Sequence, residues 1–449
     1  MMKSRRGAIR HDMWKYHPEL LAIPVPRYTS FPTAAEFSDS IGVADFVSAL
    51  EGLRGEASLY VHIPFCEKIC WYCGCNTSAA GRRDRVTSYL DALHREIELV
   101  SERTPRAVDF TGIAFGGGSP NAIRPVEFVR LVQLLTQAFR TPDPLISIEL
   151  DPRTLSSEWA AAIGGIGIGR ASLGVQTFGP ALQQAIGRVQ PEDMIESAVR
   201  MLRDAGVRSL NFDLMYGLPG QTMAEVKDSL RKAVALGADR IALFGYAHVP
   251  HMIARQRKID ASALPDARMR FDMAAEGHDL LIDEGYVPVG FDHFARPGDP
   301  LAQAALSGRL HRNFQGFTED SAQSVLGLGV SAISTLPEVI VQNEKNAGRY
   351  RMLTSQDRLT PSRGVRRSAD DRRRARVIEQ LLCGQKAAIA PALRREVDAS
   401  LAPYLEAGVC AFDGDDLVIA PGGLPYARSI AARFDPYRAL TGNRLSSAV

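Results

Sequence analysis

Four of the six cysteines fall within ten residues, as Cys66, Cys70, Cys73 and Cys75. Their spacing is C-x3-C-x2-C-x-C, inside the run Tyr60-Val-His-Ile-Pro-Phe-Cys66-Glu-Lys-Ile-Cys70-Trp-Tyr-Cys73-Gly-Cys75-Asn76. Thiolates are soft ligands that suit iron–sulfur clusters, zinc or Cu(I). A structural zinc site usually draws on two separated pairs so that a tetrahedron can close. Here the thiols share one short loop, and Cys383 and Cys410 lie far away. Three closely spaced thiolates can hold three irons of a four-iron cluster, which leaves the fourth iron open to a ligand the protein does not supply. The competing readings are a zinc knuckle and a redox or disulfide cluster.

The elements that must position this loop follow a repeat of about 30 residues, the length of a βαβ unit. A short β-rich apolar run leads to a turn and then an amphipathic helix. The runs are Ser58–Ile63, Phe110–Phe115, Ile146–Leu150, Ala171–Val175, Leu210–Leu214, Ile241–Tyr246 and Tyr286–Phe291. Helices are expected over Asp84–Glu102, Met194–Ala205 and Met223–Leu236, the last two leaving through Gly206 and Gly237 near their C-caps. Alternation of this kind argues for a parallel sheet, closed or partly closed as in a β/α barrel. In barrels, functional residues gather at the C-terminal ends of the strands, and the unusual residues here do so. The Cys66 loop follows the first run and Gly116-Gly117-Gly118-Ser119 the second. Glu149 and Asp151 end the third, Gln176 follows the fourth, Asp213 sits near the end of the fifth, and Tyr246-Ala247-His248 closes the sixth.

Residues 1–50 read as an N-terminal arm ending in a short helix near Val43–Leu53, with Arg27–Thr33 as a fixed extended segment. The barrel is expected over 51–355. After about residue 292 the repeat fades. Asp292–Pro297 and His311–Gly316 look loop-like, and Gly327–Ile333 reads as a Gly-rich turn. The charge run Arg366–Arg376 reads as the solvated start of a helix, opening a smaller, mainly helical domain over 356–449 with a hairpin near Val409–Ala420 and Cys383 as a buried apolar residue.

The 449 residues suffice for one large and one smaller domain. Lys plus Arg number 53 against 51 Asp plus Glu, so no nucleic-acid or other polyanion partner is implied. No run of about 18 apolar residues is present, so no membrane span is expected. Lys3, Arg5, Arg6 and Arg10 form a short basic arm without an apolar signal core behind it. A cytoplasmic location follows, where clustered thiols mean metal or catalysis rather than disulfides.

C-x3-C-x2-C with Tyr72 before the last cysteine resembles the radical S-adenosylmethionine (SAM) superfamily. The fuller string, His62-Ile-Pro-Phe before it and Gly74-Cys75-Asn76 after it, is similar to the oxygen-independent coproporphyrinogen III oxidase family. The resemblance implies an α/β fold: a partial β/α barrel of the radical SAM type with the arm and the small C-terminal domain around it. It implies a [4Fe-4S] cluster on Cys66, Cys70 and Cys73, two SAM molecules, and a non-ligating role for Cys75. Tyr60, Gly117, Glu149 and Ile333 fall where the family contacts the SAM on the cluster. Tyr72, Gly118, Ser119, Gln176, Arg188, Asp213 and Ala247 fall where it contacts the second. Phe314 and Gln315, with Glu149 and Ile333, match positions needed for activity. The implied reaction is anaerobic oxidative decarboxylation of coproporphyrinogen III to protoporphyrinogen IX in haem biosynthesis, through a 5′-deoxyadenosyl radical.

The residue types suit those tasks. A Gly-rich strand end lets backbone groups approach an amino-acid zwitterion, and an arginine can grip a carboxylate with two prongs. A substrate with four propionates calls for cations that do not neutralise, and Arg27, Arg296, Arg309 and Arg312 lie in loops near the recognised motifs. The implied partners are a small electron donor such as flavodoxin or ferredoxin, with a monomeric enzyme. Two departures from the family stand out: Thr77 where Lys often follows Cys-Asn, and Ser119 where Thr often follows the third glycine. The alternatives are a haem-binding chaperone on the same scaffold, and a radical SAM enzyme acting on haem itself. The Arg27–Thr33 arm, Cys75 and the His311–Gly316 string favour the oxidase.

Overall fold

The computed structural model describes residues 14–438, so the basic arm Lys3–Arg10 lies outside the described residues. Six parallel strands carry the repeat: β1 (Gly55–Ile63), β2 (Val108–Gly117), β3 (Leu145–Leu150), β4 (Arg170–Gln176), β5 (Ser209–Tyr216) and β6 (Arg240–Gly245). The helices between them are α1 (Arg83–Ser101), α2 (Pro125–Ala138), α3 (Ser157–Ile166), α4 (Glu192–Asp204) and α5 (Met223–Ala235). Gly206 and Gly237 follow α4 and α5 at φ +89° and +75°, the left-handed turn that a glycine takes without penalty.

The repeat then breaks in a way that the sequence reading missed. The seventh run is no further parallel strand. Val287–Val289 (β7) and His293–Ala295 (β8) form a tight antiparallel hairpin, and β8 pairs antiparallel with β6. Three residues separate them, too few for the crossover that a parallel partner requires. The stretch read as a Gly-rich turn is a turn at 329–332, but strand on either side: Ser324–Leu328 (β9) runs parallel to β1, with Tyr60 opposite Gly327. All five of its residues are buried, so no polar alternation marks it. Ile333–Thr335 (β10), Val339–Asn343 (β11) and Pro361–Arg366 (β12) extend that edge antiparallel. His311–Asn313 and Gly316–Thr318, read as a loop, pair as a hairpin. Among the described residues the sheet holds twelve strands in the order β12-β11-β10-β9-β1-β2-β3-β4-β5-β6-β8-β7. Its ends do not meet, so the barrel is partial.

The period of two along the strands decides what the barrel contains. In β5, Leu210, Phe212, Leu214 and Tyr216 are buried while Asn211, Asp213 and Met215 are half-buried. In β3 and β4 the buried set is Ile146, Ile148, Leu150, Ala171, Leu173 and Val175. These join the helix stripes, such as Leu90, Leu93 and Ile97 of α1, in the main core. The alternate residues Glu149, Ser172, Gly174 and Asp213 turn to the lumen. Many barrels fill that space with branched side chains; this one leaves a polar cavity.

A second core joins both ends of the chain. Trp14, Leu20, Val25, Tyr28 and Phe31 pack with residues of the helices Ala369–Gly384 and Pro391–Glu406 and of the segment 409–434. Tyr28 Oη donates to Asp435 Oδ2 at 2.9 Å, and Tyr426 Oη to the Lys15 carbonyl at 2.6 Å. Cys410–Asp413 and Asp416–Ile419 make the expected hairpin, with Lys386–Ala388 as a third strand. The charge run is only partly solvated: the helix Ala369–Gly384 starts behind a Ser368/Asp371 capping box, and Arg374 is buried between Asp370 and Glu396. Cys383 is buried, as expected.

Candidate active site

The thiol loop leaves β1 and is fastened at several points. Gly118 and Ser119 N–H groups donate to the Ile63 and Phe65 carbonyls at 2.8 and 2.7 Å. Trp71 N–H donates to the Ile186 carbonyl at 3.0 Å, and Ala80 N–H to the Cys66 carbonyl at 2.9 Å. His62 adds a pin that the sequence did not disclose. Burial drives its pKa down to about 4, so the ring is neutral. Its Nε2 faces the Asn76 carbonyl at 3.1 Å and must carry the hydrogen, which leaves Nδ1 to accept from Tyr60 Oη at 3.2 Å.

Glycine is required where the loop meets β2. A Cβ on Gly118 would stand 2.5 Å from the Phe65 carbonyl oxygen and 2.8 Å from its nitrogen, both backbone atoms. Gly117 has φ +112°, and a Cβ there would strike the His62 ring at 2.4 Å. On the far side of β1, the β9–β10 turn hangs on one buried carboxylate. Glu96 of α1 accepts from Gly329 N–H (2.6 Å), Tyr350 Oη (2.8 Å), Thr360 Oγ1 (2.5 Å) and Asn343 Nδ2 (2.9 Å). Burial nonetheless raises its pKa.

A cavity of about 190 Å³ opens at this mouth, lined by Cys66, Cys70, Cys73 and Cys75 on one side. Gly117, Gly118, Ser119, Glu149, Gln176, Arg188 and Asp213 line the other, and Tyr72 lies between. Among the described residues no three His, Cys, Asp or Glu side chains close on a single-ion point. The three thiols instead face a shared space, as a multi-iron cluster requires. Sequence reasoning missed Arg153, which follows Asp151-Pro152 directly after β3. Arg153 Nη2 and Arg188 Nη1 approach Cys70 Sγ at 3.4 and 3.2 Å. Both also engage Asp151, at 2.6 and 3.3 Å. Burial would raise the Asp151 pKa, but Arg188 and Arg153 outweigh it and hold the carboxylate below its usual range. Arg188 further donates to the Gly174 carbonyl at 2.6 Å.

The thiols differ among themselves. Cys73 is drawn down to about 6, first by its hydrogen bond with Cys75, against burial and with help from Arg255 and Arg188. Cys66 is pushed up to about 12 by burial and by the charges of Cys73 and Cys70. Arg255 Nη1 donates to Thr77 Oγ1 at 3.0 Å, which brings a cation to the position where the family often has Lys. Glu149 is open to the lumen yet enclosed by protein. That enclosure, then the charge of Asp213, raises its pKa to about 7, and the Gly117 N–H at 3.2 Å offsets part of the rise. Asp213 is raised by burial, with Ser172 and Asn211 donating to it at 3.0 and 2.8 Å.

The remaining expected residues stand around this cavity rather than in its wall. Tyr60 packs edge-on to Phe314 at 4.5 Å. Ile333 lies across from Tyr60 through Gly327, whose missing Cβ would meet the Ile333 carbonyl oxygen at 2.5 Å. Gln315 is exposed. Ala247 lines a neighbouring cavity, joined to this one by the Gln256 amide, which donates to the Tyr72 and Ala247 carbonyls at 2.9 and 3.0 Å. Arg296 is misplaced by the sequence reading. Its Nε bonds the Ala238 carbonyl at 3.2 Å, just before β6, at the opposite end of the barrel. Arg309 is exposed, on Ser307 Oγ.

A partial parallel barrel with a thiol loop after its first strand and a glycine and carboxylate rim after the next two defines a radical SAM protein. Consistent with this, the Radical SAM superfamily matches residues 60–233. An oxygen-independent coproporphyrinogen III oxidase of Bradyrhizobium diazoefficiens is 42% identical over 425 residues, 92% of this chain and 94% of the relative. The Escherichia coli oxidase of the same description is 36% identical over 430 residues, 92% and 93% of the two chains. A solved structure of the Escherichia coli coproporphyrinogen III oxidase, described as a radical SAM enzyme, superposes with a TM-score of 0.88 at 35% identity, covering 95% of this chain and all of that one. The chain belongs to the oxygen-independent coproporphyrinogen III oxidase family. Among the described residues no helix is long and apolar enough to cross a membrane.

Proposed function

We propose that this protein decarboxylates coproporphyrinogen III oxidatively to protoporphyrinogen IX without oxygen, using a [4Fe-4S] cluster and SAM. The observation that carries this is the single lumen shared by three loop thiols, a glycine strand end and two strand-borne carboxylates. The residues present fit the cofactors. Cys66, Cys70 and Cys73 would hold the cluster, and Arg153 and Arg188 both reach Cys70 Sγ. Gly117 and Gly118 line the same cavity and, their Cα positions being packed on His62 and the Phe65 backbone, present main chain to an amino-acid zwitterion. When bound, the cluster and SAM supply one-electron cleavage of a carbon–sulfur bond and so a carbon radical able to take hydrogen from a propionate arm.

The chain's own residues do the positioning. Glu149, once ionised, can hold an ammonium or ribose hydroxyls, with Gly117 N–H fixing its rotamer. Asp213, held by Ser172 and Asn211, offers a second carboxylate on the lumen wall. Tyr60, oriented through neutral His62 and packed on Phe314, closes the β9 side together with Ile333. Tyr72, Gly118, Ser119, Gln176, Arg188 and Ala247 would serve the second SAM, and Gln315 and Phe314 the substrate entrance. A small flavodoxin- or ferredoxin-type donor, a monomeric state and a cytoplasmic location belong to the same proposal. The test is anaerobic turnover of coproporphyrinogen III by reconstituted protein with SAM and a reductant. Protoporphyrinogen with matching 5′-deoxyadenosine is expected; tight haem binding without turnover would overturn the reading in favour of a chaperone.

A further inference from the structure

A second cavity, of about 70 Å³, lies beside the first, between the ends of β5 and β6 and the second core. Its wall includes Tyr216, Phe244, Phe291, Asp292 and three arginines, Arg27, Arg270 and Arg428. Arg312 stands at its edge, its guanidinium 5.1 Å from the Phe291 ring that Arg428 covers from 5.5 Å. Arg27 lies over Phe244 at 5.8 Å. These cations come from four separate parts of the chain, and Asp292 is the one carboxylate among the lining residues. Asp292 is already engaged by His293 at 2.6 Å.

The guanidinium groups are short of partners. Arg270 Nε and Arg312 Nη1 are buried without a hydrogen bond. Arg428 has no ion pair or hydrogen bond among the described residues, and burial lowers its pKa to about 10, which still leaves it charged near neutrality. Buried charges are ordinarily paired, and arginine cannot relieve its burden by losing a proton. Aromatic faces compensate only in part. Guanidinium groups converging on one cavity with a single, already engaged carboxylate suit an anionic ligand.

We propose that this cavity seats a propionate carboxylate of the tetrapyrrole, gripped by Arg270, Arg428 and the arm residue Arg27. This rests on the functional reading above and assigns a substrate contact within it. Volume sets what enters: a void of about 150 Å³ admits benzene, so this one takes a carboxylate arm and not a macrocycle. The two cavities share no lining residue, Glu149 and the thiols belonging to the first alone, although the Gln256 amide links their walls at Tyr72 and Ala247. The arm held here is therefore an anchor, distinct from the arm that reacts.

The test is titration of coproporphyrin III, and of a porphyrin without carboxylates, into the full-length protein, followed by fluorescence quenching. Arg428→Met and Arg270→Met are each expected to weaken coproporphyrin binding about tenfold or more, the scale of a lost charge-assisted pair. The carboxylate-free porphyrin should bind all variants alike. Arg309→Ala, which removes the same charge outside the cavity, should leave both constants unchanged. In turnover the loss should fall on KM rather than kcat. If the buried substitutions prevent folding, Arg27→Met, on an exposed side chain, reads the same contact. Unchanged coproporphyrin affinity in folded variants of an active enzyme overturns this inference alone. A wild type that neither binds coproporphyrin nor turns over its reduced form overturns the functional reading and this inference together.

Discussion

Cys66 and Cys75 occupy the same loop but differ in what depends on them. Cys66→Ser should abolish cluster iron on reconstitution. Cys75→Ser should retain most of it, because Cys75 is the exposed fourth thiol and acts on Cys73 through a hydrogen bond. Iron per chain and the cluster's visible absorbance check this, and equal loss in both would reassign the ligands. Glu149 yields a pH prediction. Its pKa near 7 lies above the ordinary carboxylate range, so the group is neutral below that pH and ionised above it. Binding of the SAM ammonium needs the ionised form, so affinity of the cluster-loaded enzyme should rise from pH 6 to 8 and then level off. Glu149→Gln should flatten that profile. At this scale the sequence showed what local spacing encodes: the cysteines, the triple glycine and the carboxylate closing β3. It hid contacts made by distant partners, such as Arg153 and Arg188 meeting at Cys70, or Arg270 and Arg428, from different parts of the chain, lining one cavity. Arg296 was misread because a loop near a motif in sequence emerged at the wrong end of a strand.

Two elements hold the loop in register, and each can be tested. Gly118→Ala would wedge β2 away from Phe65 backbone, which cannot yield as a flexible side chain can. A loss of about 1–3 kcal/mol is expected, the usual cost of overpacking, with a fall in cluster iron; denaturant unfolding and iron analysis measure both. Glu96→Ala would strip four donors of their acceptor at once. Leaving a buried donor without its acceptor costs about 1–3 kcal/mol, and the β9–β10 turn that leads into Ile333 should become the first region to exchange its amide hydrogens. Strands β1 to β6 were legible from apolar runs ending in residues fit for chemistry. Strand β9 was not, because Gly327 at its end runs into Gly329 and hides a short, fully buried run. Gly327 serves there to let the Ile333 backbone lie directly on it.

The barrel is one core and the paired chain ends form another. A division at residues 50 and 355 is the one we propose, with exchange across both limits: β12, beyond the second, still pairs with β11, Phe46 and Leu50 of the arm join the main core, and the segment Trp14–Phe31 docks on the C-terminal unit. Burying an apolar side chain contributes about 1.5–3 kcal/mol, and the arm buries Trp14, Leu20, Val25, Tyr28 and Phe31. Deleting residues 1–32 should therefore leave the barrel intact and make the region beyond residue 369 sensitive to protease, with a lowered melting transition for that unit alone. Limited proteolysis followed by mass analysis distinguishes this from global unfolding. It would also remove Arg27 from the second cavity.

The Tyr28–Asp435 bond spans 407 positions. Ribosomes add about 5–20 residues each second, so the arm emerges about 20–80 s before its docking surface exists. Throughout synthesis, tryptophan and phenylalanine side chains destined for the interior stay in water. Stalled translation near the end should therefore strand the chain with these side chains uncovered, in an aggregation-prone state.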